Sequence, residues 1–125
     1  MADGQVIKAT STGFYAGTGE IQVKHSDGTI ARYGEVGTYV SAGQKVTKGQ
    51  EIGYIKKHTH AKCSGDHMLH LEFYYGRNAS GAVVTGGLSN TSNKTYLYAP
   101  KPKYGTYERR LDLIDPTGSK DLPRM

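Results

Sequence analysis

Short runs of alternating apolar and polar side chains, separated by glycine turns, characterise the first 75 residues. The clearest run is residues 20–25, where Ile21 and Val23 fall on one face of a predicted strand. Asp27-Gly28 follows closely, and this dipeptide between two strands is typical of a tight β-hairpin. The other predicted strands cover residues 5–10, 29–33, 51–55 and 68–75. Several short strands at this spacing favour a small all-β barrel or sandwich.

The pattern changes after residue 75. Residues 76–107 are rich in Ser, Asn, Thr, Gly, Pro and Tyr and show weak periodicity, so we predict an irregular extension whose tyrosines pack back on the β core. Residues 108–114 are predicted to form one or two helical turns, followed by a frayed tail. The expected organisation is a β core over residues 1–75 and a Tyr-, Ser- and Asn-rich extension over residues 76–125.

The composition supports many turns and aromatic-rich strands. Glycine accounts for 17 of the 125 residues, well above the usual ~7%, and there are 10 tyrosines but no tryptophan. Such a chain is expected to form strands and turns rather than long helices. Its single cysteine cannot form an internal disulfide, so the fold depends on its apolar core.

Charge and hydropathy narrow the classes of partner and location. The net charge of +5 favours anionic partners such as cell-wall polymers or acidic protein surfaces. The basic residues are scattered and form no stripe interleaved with aromatic residues, so no nucleic-acid groove is expected. No apolar run approaches the roughly 20 residues of a membrane span, and residues 1–5 show no secretory signal. We therefore expect neither membrane insertion nor signal-peptide export.

Residues 40–55 form the most informative segment. Their sequence, VSAGQKVTKGQEIGYI, contains two successive units in which a glycine turn is followed by β-branched residues. These units resemble two families. One is the biotinyl/lipoyl carrier domain, and the other is the lysostaphin-like (LytM-type) zinc endopeptidase, which cuts peptide cross-links in bacterial peptidoglycan.

The flanking segments favour the lysostaphin-like family. Residues 2–6 (ADGQV) resemble the segment that opens its core, and residues 21–28 and 31–33 resemble its central hairpin. Residues 68–72 (MLHLE) resemble its His-x-His-Phe-Glu strand. The resemblance covers roughly residues 2–75, in the right order, and implies a small lysostaphin-like barrel core.

The resemblance also implies a Zn²⁺ ion with three protein ligands and an open position for water. In the family, the ligands are a His and an Asp four residues apart and the second His of the His-x-His strand, which corresponds here to His70. Strand alternation places one set of side chains in a groove and an apolar set in the core. The predicted groove residues are Met68, His70, Glu72 and Tyr74, joined by Tyr33, and the predicted core residues are Leu69, Leu71, Phe73 and Tyr75.

Three departures from the family pattern bear on catalysis. Met68 stands in place of the first His of the pair, and Glu35 stands in place of a helper His after Tyr33. The segment that carries the His and Asp ligands would precede residue 2. Glu35 is the candidate catalytic base, because a carboxylate near a metal-bound water can accept its proton. The cofactor expected from the family is zinc, and this chain alone is expected to hold an incomplete site or none.

A second group of candidate ligands precedes the His70 strand. His58, His60, Cys63 and His67 are close in sequence, and His and Cys are common zinc ligands. Their spacing matches no established zinc module, and a solvated polar loop is the plainer interpretation. In the lysostaphin-like fold this loop would border the groove, so the same imidazoles could contact a ligand directly.

Three functional hypotheses remain open. The first is a peptidoglycan-directed domain with an incomplete zinc site, which serves as a binding, structural or regulatory part of a larger assembly such as a phage tail or secretion device. It would reach the bacterial cell-wall compartment or a virion by another route. The second is an active zinc endopeptidase completed by another segment or chain. The third is a carrier barrel, which Lys56-Lys57 disfavours because a carrier lysine lies at a tight hairpin beside Met or Asp.

Overall fold

The computed structural model describes residues 2–15, 17–59, 67–76 and 112–114. The described residues form seven strands in one antiparallel sheet. The strands are β1 (Gly4–Thr10), β2 (Gly19–His25), β3 (Ile30–Thr38), β4 (Lys45–Val46), β5 (Gly53–Ile55), β6 (His70–Tyr74) and β7 (Leu113–Ile114). Their order is β4-β1-β2-β3-β6-β7, and β5 pairs with the end of β3. The prediction of a small all-β core is confirmed.

No described residue is helical, and this part of the chain therefore contains no helix able to cross a membrane. The helix predicted over residues 108–114 is wrong at its last two positions, because Leu113 and Ile114 form β7 and pair with the end of β6. Strand pairing satisfies backbone groups that a short isolated helix would leave open. Residues 77–111 and 115–125, which hold most of the predicted extension, lie outside the described residues.

The β2–β3 hairpin forms where Asp27-Gly28 predicts it. Asp27 Oδ1 accepts hydrogen bonds from the backbone nitrogen and the hydroxyl of Thr29, at 2.9 and 2.7 Å. Gly28 has a φ of +89°, a left-handed conformation that glycine adopts without steric cost. This turn sets the register of β2 against β3, and the register decides which side chains face the core.

One face of the sheet carries the main apolar core. Its six buried side chains are Val6, Ile21, Val23, Val36, Val40 and Val46. Full burial of an aliphatic side chain of this size contributes roughly 1.5–3 kcal/mol relative to exposure, and this is the larger of the two apolar clusters among the described residues. Ile30 and Tyr74 form a second buried pair.

Strand β6 leaves its leucine side open. Leu69 and Leu71 are 45% and 43% exposed, so the prediction that they lie in the core is wrong. Tyr33, the cross-strand partner of Leu71, packs against the core cluster instead, and burial raises the pKa of its hydroxyl. Leu69 borders an open, mainly apolar cavity of about 270 Å³. Leu69, which precedes β6, and Leu71 therefore lie at the edge of the core, and Tyr33 on β3 makes the core contact instead.

Candidate functional site

The polar face of the sheet carries the side chains that could take part in binding or catalysis. The register pairs Gln22 with Arg32, Arg32 with Glu72, and Gly34 with His70. Cross-strand partners project to the same side of a sheet, so β2, β3 and β6 contribute to one polar surface opposite the main core. His70 and Glu72, both predicted to line a groove, lie on this surface.

A buried carboxylate anchors the polar face. Glu20 is only 2% exposed, and its oxygens accept hydrogen bonds from Lys8 Nζ at 2.6 Å and from Arg32 Nε at 2.5 Å. Gln22 Nε2 donates a further bond of 3.2 Å. Burial by itself raises the pKa of Glu20, but the bonds from Arg32 and Lys8 outweigh it and hold the pKa below its usual value. Glu20 is therefore a fully ionised, fully paired carboxylate at neutral pH.

Arg32 extends this network to the predicted ligand His70. Its Nη1 lies 3.3 Å from Glu72 Oε1, and the same oxygen lies 2.8 Å from Nε2 of His70. The His70 side chain is 43% exposed. A continuous chain of ion pairs and hydrogen bonds thus runs from Lys8 on β1 across β2 and β3 to β6, four strands in all, and ends at an accessible imidazole.

The ring of Phe14, from the loop between β1 and β2, lies on this network. Its centroid is 5.1 Å from Arg32 Cζ and 5.4 Å from the centroid of the His70 ring. The contact requires glycine beneath it, since a Cβ on Gly34 would come within 2.5 Å of Phe14 Cζ. The sequence analysis missed Phe14. The available signal was Gly34 inside a strand, which often marks a close approach by another group.

Glu35, the candidate base, sits at a β-bulge. Glu20 pairs with Gly34 and Gly19 pairs with Val36, so Glu35 is an extra residue on β3. Its φ of +65° is in the left-handed region, which is unusual for a residue with a side chain. The bulge changes the direction of the Glu35 side chain relative to a regular strand.

The Glu35 carboxylate is paired with His58, in the loop after β5. Oε2 of Glu35 lies 2.7 Å from Nε2 of His58, and the residues are 7% and 3% exposed. The ring of Tyr15 contacts the His58 ring edge-on, with centroids 5.7 Å apart. Nδ1 of His58 is buried and has no hydrogen-bond partner among the described residues. The fold therefore makes two separate acid–imidazole pairs, Glu35 with His58 and Glu72 with His70.

The other three predicted groove residues, Tyr33, Tyr74 and Met68, differ in where they lie and in how exposed they are. Tyr33 lies on the face of β3 opposite Arg32 and packs against the core. Tyr74 shares the register face of Glu72 but is only 4% exposed. Met68 is 53% exposed and precedes β6. Of the five predicted groove residues, His70 and Glu72 thus form the accessible polar pair.

A zinc centre of the expected kind needs three protein ligands that converge on one point. Within residues 2–15, 17–59, 67–76 and 112–114, no three His, Cys, Asp or Glu side chains converge in a way that could hold a metal ion. His58 is buried against Glu35, and His67 is exposed ahead of β6. His60 and Cys63 lie outside the described residues. The described side chains therefore do not fit a zinc centre with three protein ligands.

Comparison with known families agrees with the fold and the order of motifs. Residues 1–93 match the family described as peptidase family M23. The match covers well over half of the chain, and the chain belongs to peptidase family M23. The resemblance to lysostaphin-like domains inferred from residues 2–75 is confirmed at the level of family and fold.

Two solved structures are similar to part of this chain. A chain from the SpoIIQ–SpoIIIAH pore-forming complex is 30% identical over 58% of this chain and 45% of its own length, with a TM-score of 0.48. A chain from a crystal structure of the SpoIIIAH and SpoIIQ complex is 28% identical over 64% of this chain and 52% of its own length, also with a TM-score of 0.48. The matched part thus spans about half the length of either chain. No curated protein matches.

Proposed function

We propose that this M23 domain is directed to bacterial peptidoglycan and has no complete zinc centre of its own. It serves as a binding, structural or regulatory part of a larger assembly, such as a phage tail or secretion device. Its place of action is the cell-wall compartment or a virion. The observation that carries this proposal is the pairing of Glu35 with His58, because it withdraws the predicted catalytic base from the open face.

The polar face supports binding better than catalysis. A general base must reach the proton that it accepts, whereas Glu35 is buried and its carboxylate faces His58. Glu20 is likewise buried between two cations. What remains accessible is His70, the half-covered Arg32 and the ring of Phe14. These groups offer hydrogen bonds and flat contact area for a peptide or sugar.

A second function has one observation in its favour. Metal-binding histidines commonly donate their other N–H to a carboxylate, and Glu72 accepts such a bond from Nε2 of His70. This geometry leaves Nδ1 of His70 for another partner. The alternative is therefore an active zinc endopeptidase that another segment or chain completes.

The carrier hypothesis is the weakest of the three. Nζ of Lys56 donates a 2.6 Å hydrogen bond to the backbone oxygen of Ser11, so it is held against the loop after β1 rather than presented at a turn. Lys57 is exposed. An intact mass that shows a biotinyl or lipoyl adduct on Lys57 would restore this hypothesis.

The test combines wall binding, cleavage and metal content. Purified sacculi are mixed with the chain with and without added zinc, pelleted, and analysed for bound protein and released peptides. The expected result is binding without release of fragments, and a zinc content far below one ion per chain after dialysis. Failure to pellet with sacculi would overturn the wall-binding role.

Two variants separate the proposal from its alternative. His70→Ala changes the accessible imidazole of the polar face, and His67→Ala changes an exposed histidine outside that face. We expect neither variant to alter the metal content, since under this proposal neither histidine binds a zinc ion in this chain. Zinc-dependent cleavage that His70→Ala abolishes and His67→Ala retains would establish the endopeptidase instead.

A further inference from the structure

Two adjacent aromatic residues contact the two histidines of the candidate site. The Phe14 ring lies 5.4 Å from the His70 ring, and the Tyr15 ring lies 5.7 Å from the His58 ring. We propose that Phe14 and Tyr15 form a displaceable aromatic cover. The Tyr15 ring shields the buried imidazole of His58, which becomes available to a ligand only when that ring moves aside. The Phe14 ring lies against part of the His70 imidazole, whose side chain is 43% exposed.

The backbone around the two rings suits such a movement. Glycines at positions 13 and 17 bracket the pair, with φ values of +91° and +78°. Glycine can change its backbone conformation at low steric cost, and short glycine-flanked segments often act as hinges. The closed position is held by backbone bonds of 2.9 Å from Phe14 N to Thr18 O and from Thr18 N to Tyr15 O.

The buried nitrogen of His58, unpartnered within the described part of the chain, favours displacement of the Tyr15 ring. Its Nε2 is bonded to the Glu35 carboxylate, while Nδ1 is buried without a partner among the described residues. A buried polar nitrogen that lacks a hydrogen-bond partner is unfavourable, whether it is a donor or an acceptor. Displacement of Tyr15, which is already 46% exposed, would admit water or a polar group of a ligand to this nitrogen.

The two rings have different neighbours, so their effects are separable. Phe14 contacts Arg32 and Gly34 as well as His70. Tyr15 contacts the ring of His58, on the other side of the bulge. Removing either ring should therefore increase the exposure of its own histidine and leave the exposure of the other unchanged.

Histidine labelling with diethyl pyrocarbonate, quantified by peptide mass spectrometry, measures this directly. Tyr15→Ala is expected to raise the labelling rate of the buried His58 several-fold and to leave that of His70 unchanged. Phe14→Ala is expected to raise the labelling rate of His70 by a smaller factor, because that side chain is already 43% exposed, and to leave that of His58 unchanged. The exposed His67 is the internal reference in every sample. Tyr15→Phe keeps the ring and should retain the protection of His58.

Some results would overturn the proposal. Unchanged His58 labelling in Tyr15→Ala would show that the ring is no cover, and equal acceleration of both histidines by either variant would indicate general loosening. Phe14→Leu, which retains apolar volume, provides the same comparison if Phe14→Ala fails to fold.

A urea series tests whether the cover opens locally. Local opening exposes little surface, so His58 labelling in the wild-type chain should be nearly independent of low urea concentrations. A rate that rises with the full slope of global unfolding would show that Tyr15 never moves alone. Because labelling needs no wall material, these outcomes leave the proposed function to its own test.

Discussion

Oε2 of Glu35 and Nε2 of His58 lie 2.7 Å apart in the interior of the protein. Glu35 reaches this position from a bulge with a left-handed backbone, which costs roughly 1–2 kcal/mol for a residue with a Cβ. The backbone nitrogen of Lys56 also donates to the backbone oxygen of Glu35, at 3.0 Å. The pair therefore ties the loop after β5 to the bulge of β3, at the place where the family pattern has a helper histidine.

Removing His58 should weaken the fold strongly. In His58→Ala the Glu35 carboxylate remains buried without its partner, and breaking a buried pair from one side typically costs about 3 kcal/mol or more. Urea unfolding followed by circular dichroism measures this loss. The exposed His67→Ala is the matched control and should stay within about 0.5 kcal/mol of wild type.

A double variant tests the origin of that loss. Glu35→Gly combined with His58→Ala removes the buried carboxylate and places glycine at a positive φ. The double variant should therefore be more stable than His58→Ala alone. If the double variant is the less stable of the two, the unpaired carboxylate is not the cause.

Gly34→Ala should reveal the position of Phe14. The new Cβ would lie 2.5 Å from Phe14 Cζ, and forcing extra volume into a packed contact costs roughly 1–3 kcal/mol. In a Phe14→Ala background the same change should cost much less, because the obstructing ring is absent. Unfolding free energies of the four chains form the double-mutant cycle. Additive losses would contradict the contact.

Glu20 should contribute to acid sensitivity. Its pKa is lowered in the folded protein, so its stabilisation is present above the unfolded pKa of about 4.3 and is lost as pH falls through the lower folded value. The unfolding free energy of the wild type should therefore decrease as pH falls below about 5.

Glu20→Gln provides the comparison for this pH dependence. The variant should be less stable at neutral pH, because Lys8 and Arg32 lose their common partner, and it should show a flatter acid dependence. Asp27→Asn is the control. The bonds from Thr29 also lower the pKa of Asp27, but this residue is exposed, so its effect should be smaller. Equal acid slopes in wild type and Glu20→Gln would contradict the assignment.

The open leucine side of β6 should tolerate charge. Leu69→Lys and Leu71→Lys are each expected to change stability by less than about 1 kcal/mol, since both side chains are substantially exposed. Ile21→Ala, in the buried core, should cost about 3 kcal/mol. Thermal and urea unfolding compare the three. Losses at position 69 or 71 as large as that of Ile21→Ala would place these leucines inside.

The all-β class, the family and much of the strand pattern could be predicted because they depend on local features. Alternation around Ile21 and Val23 marks β2, and Asp27-Gly28 supplies the turn chemistry of the β2–β3 hairpin. These signals act over a few residues, so no knowledge of the three-dimensional packing is needed to read them. The short strands β4 and β7 carry too few residues for such a signal.

The arrangement of the candidate site depended on contacts between residues distant in sequence. His70 was placed on an accessible face by alternation, but the pairing of Glu35 with His58 spans 23 positions, and the contact of Phe14 with His70 joins a loop to the far end of the described core. A bulge at Glu35 turned the predicted base inward, and Tyr33 took the core contact that Leu71 was expected to make. Alternation along a strand only assigns the side chains to two opposite faces of the sheet. Which face is covered, and by which side chain, follows only from the packing of strands and loops against each other.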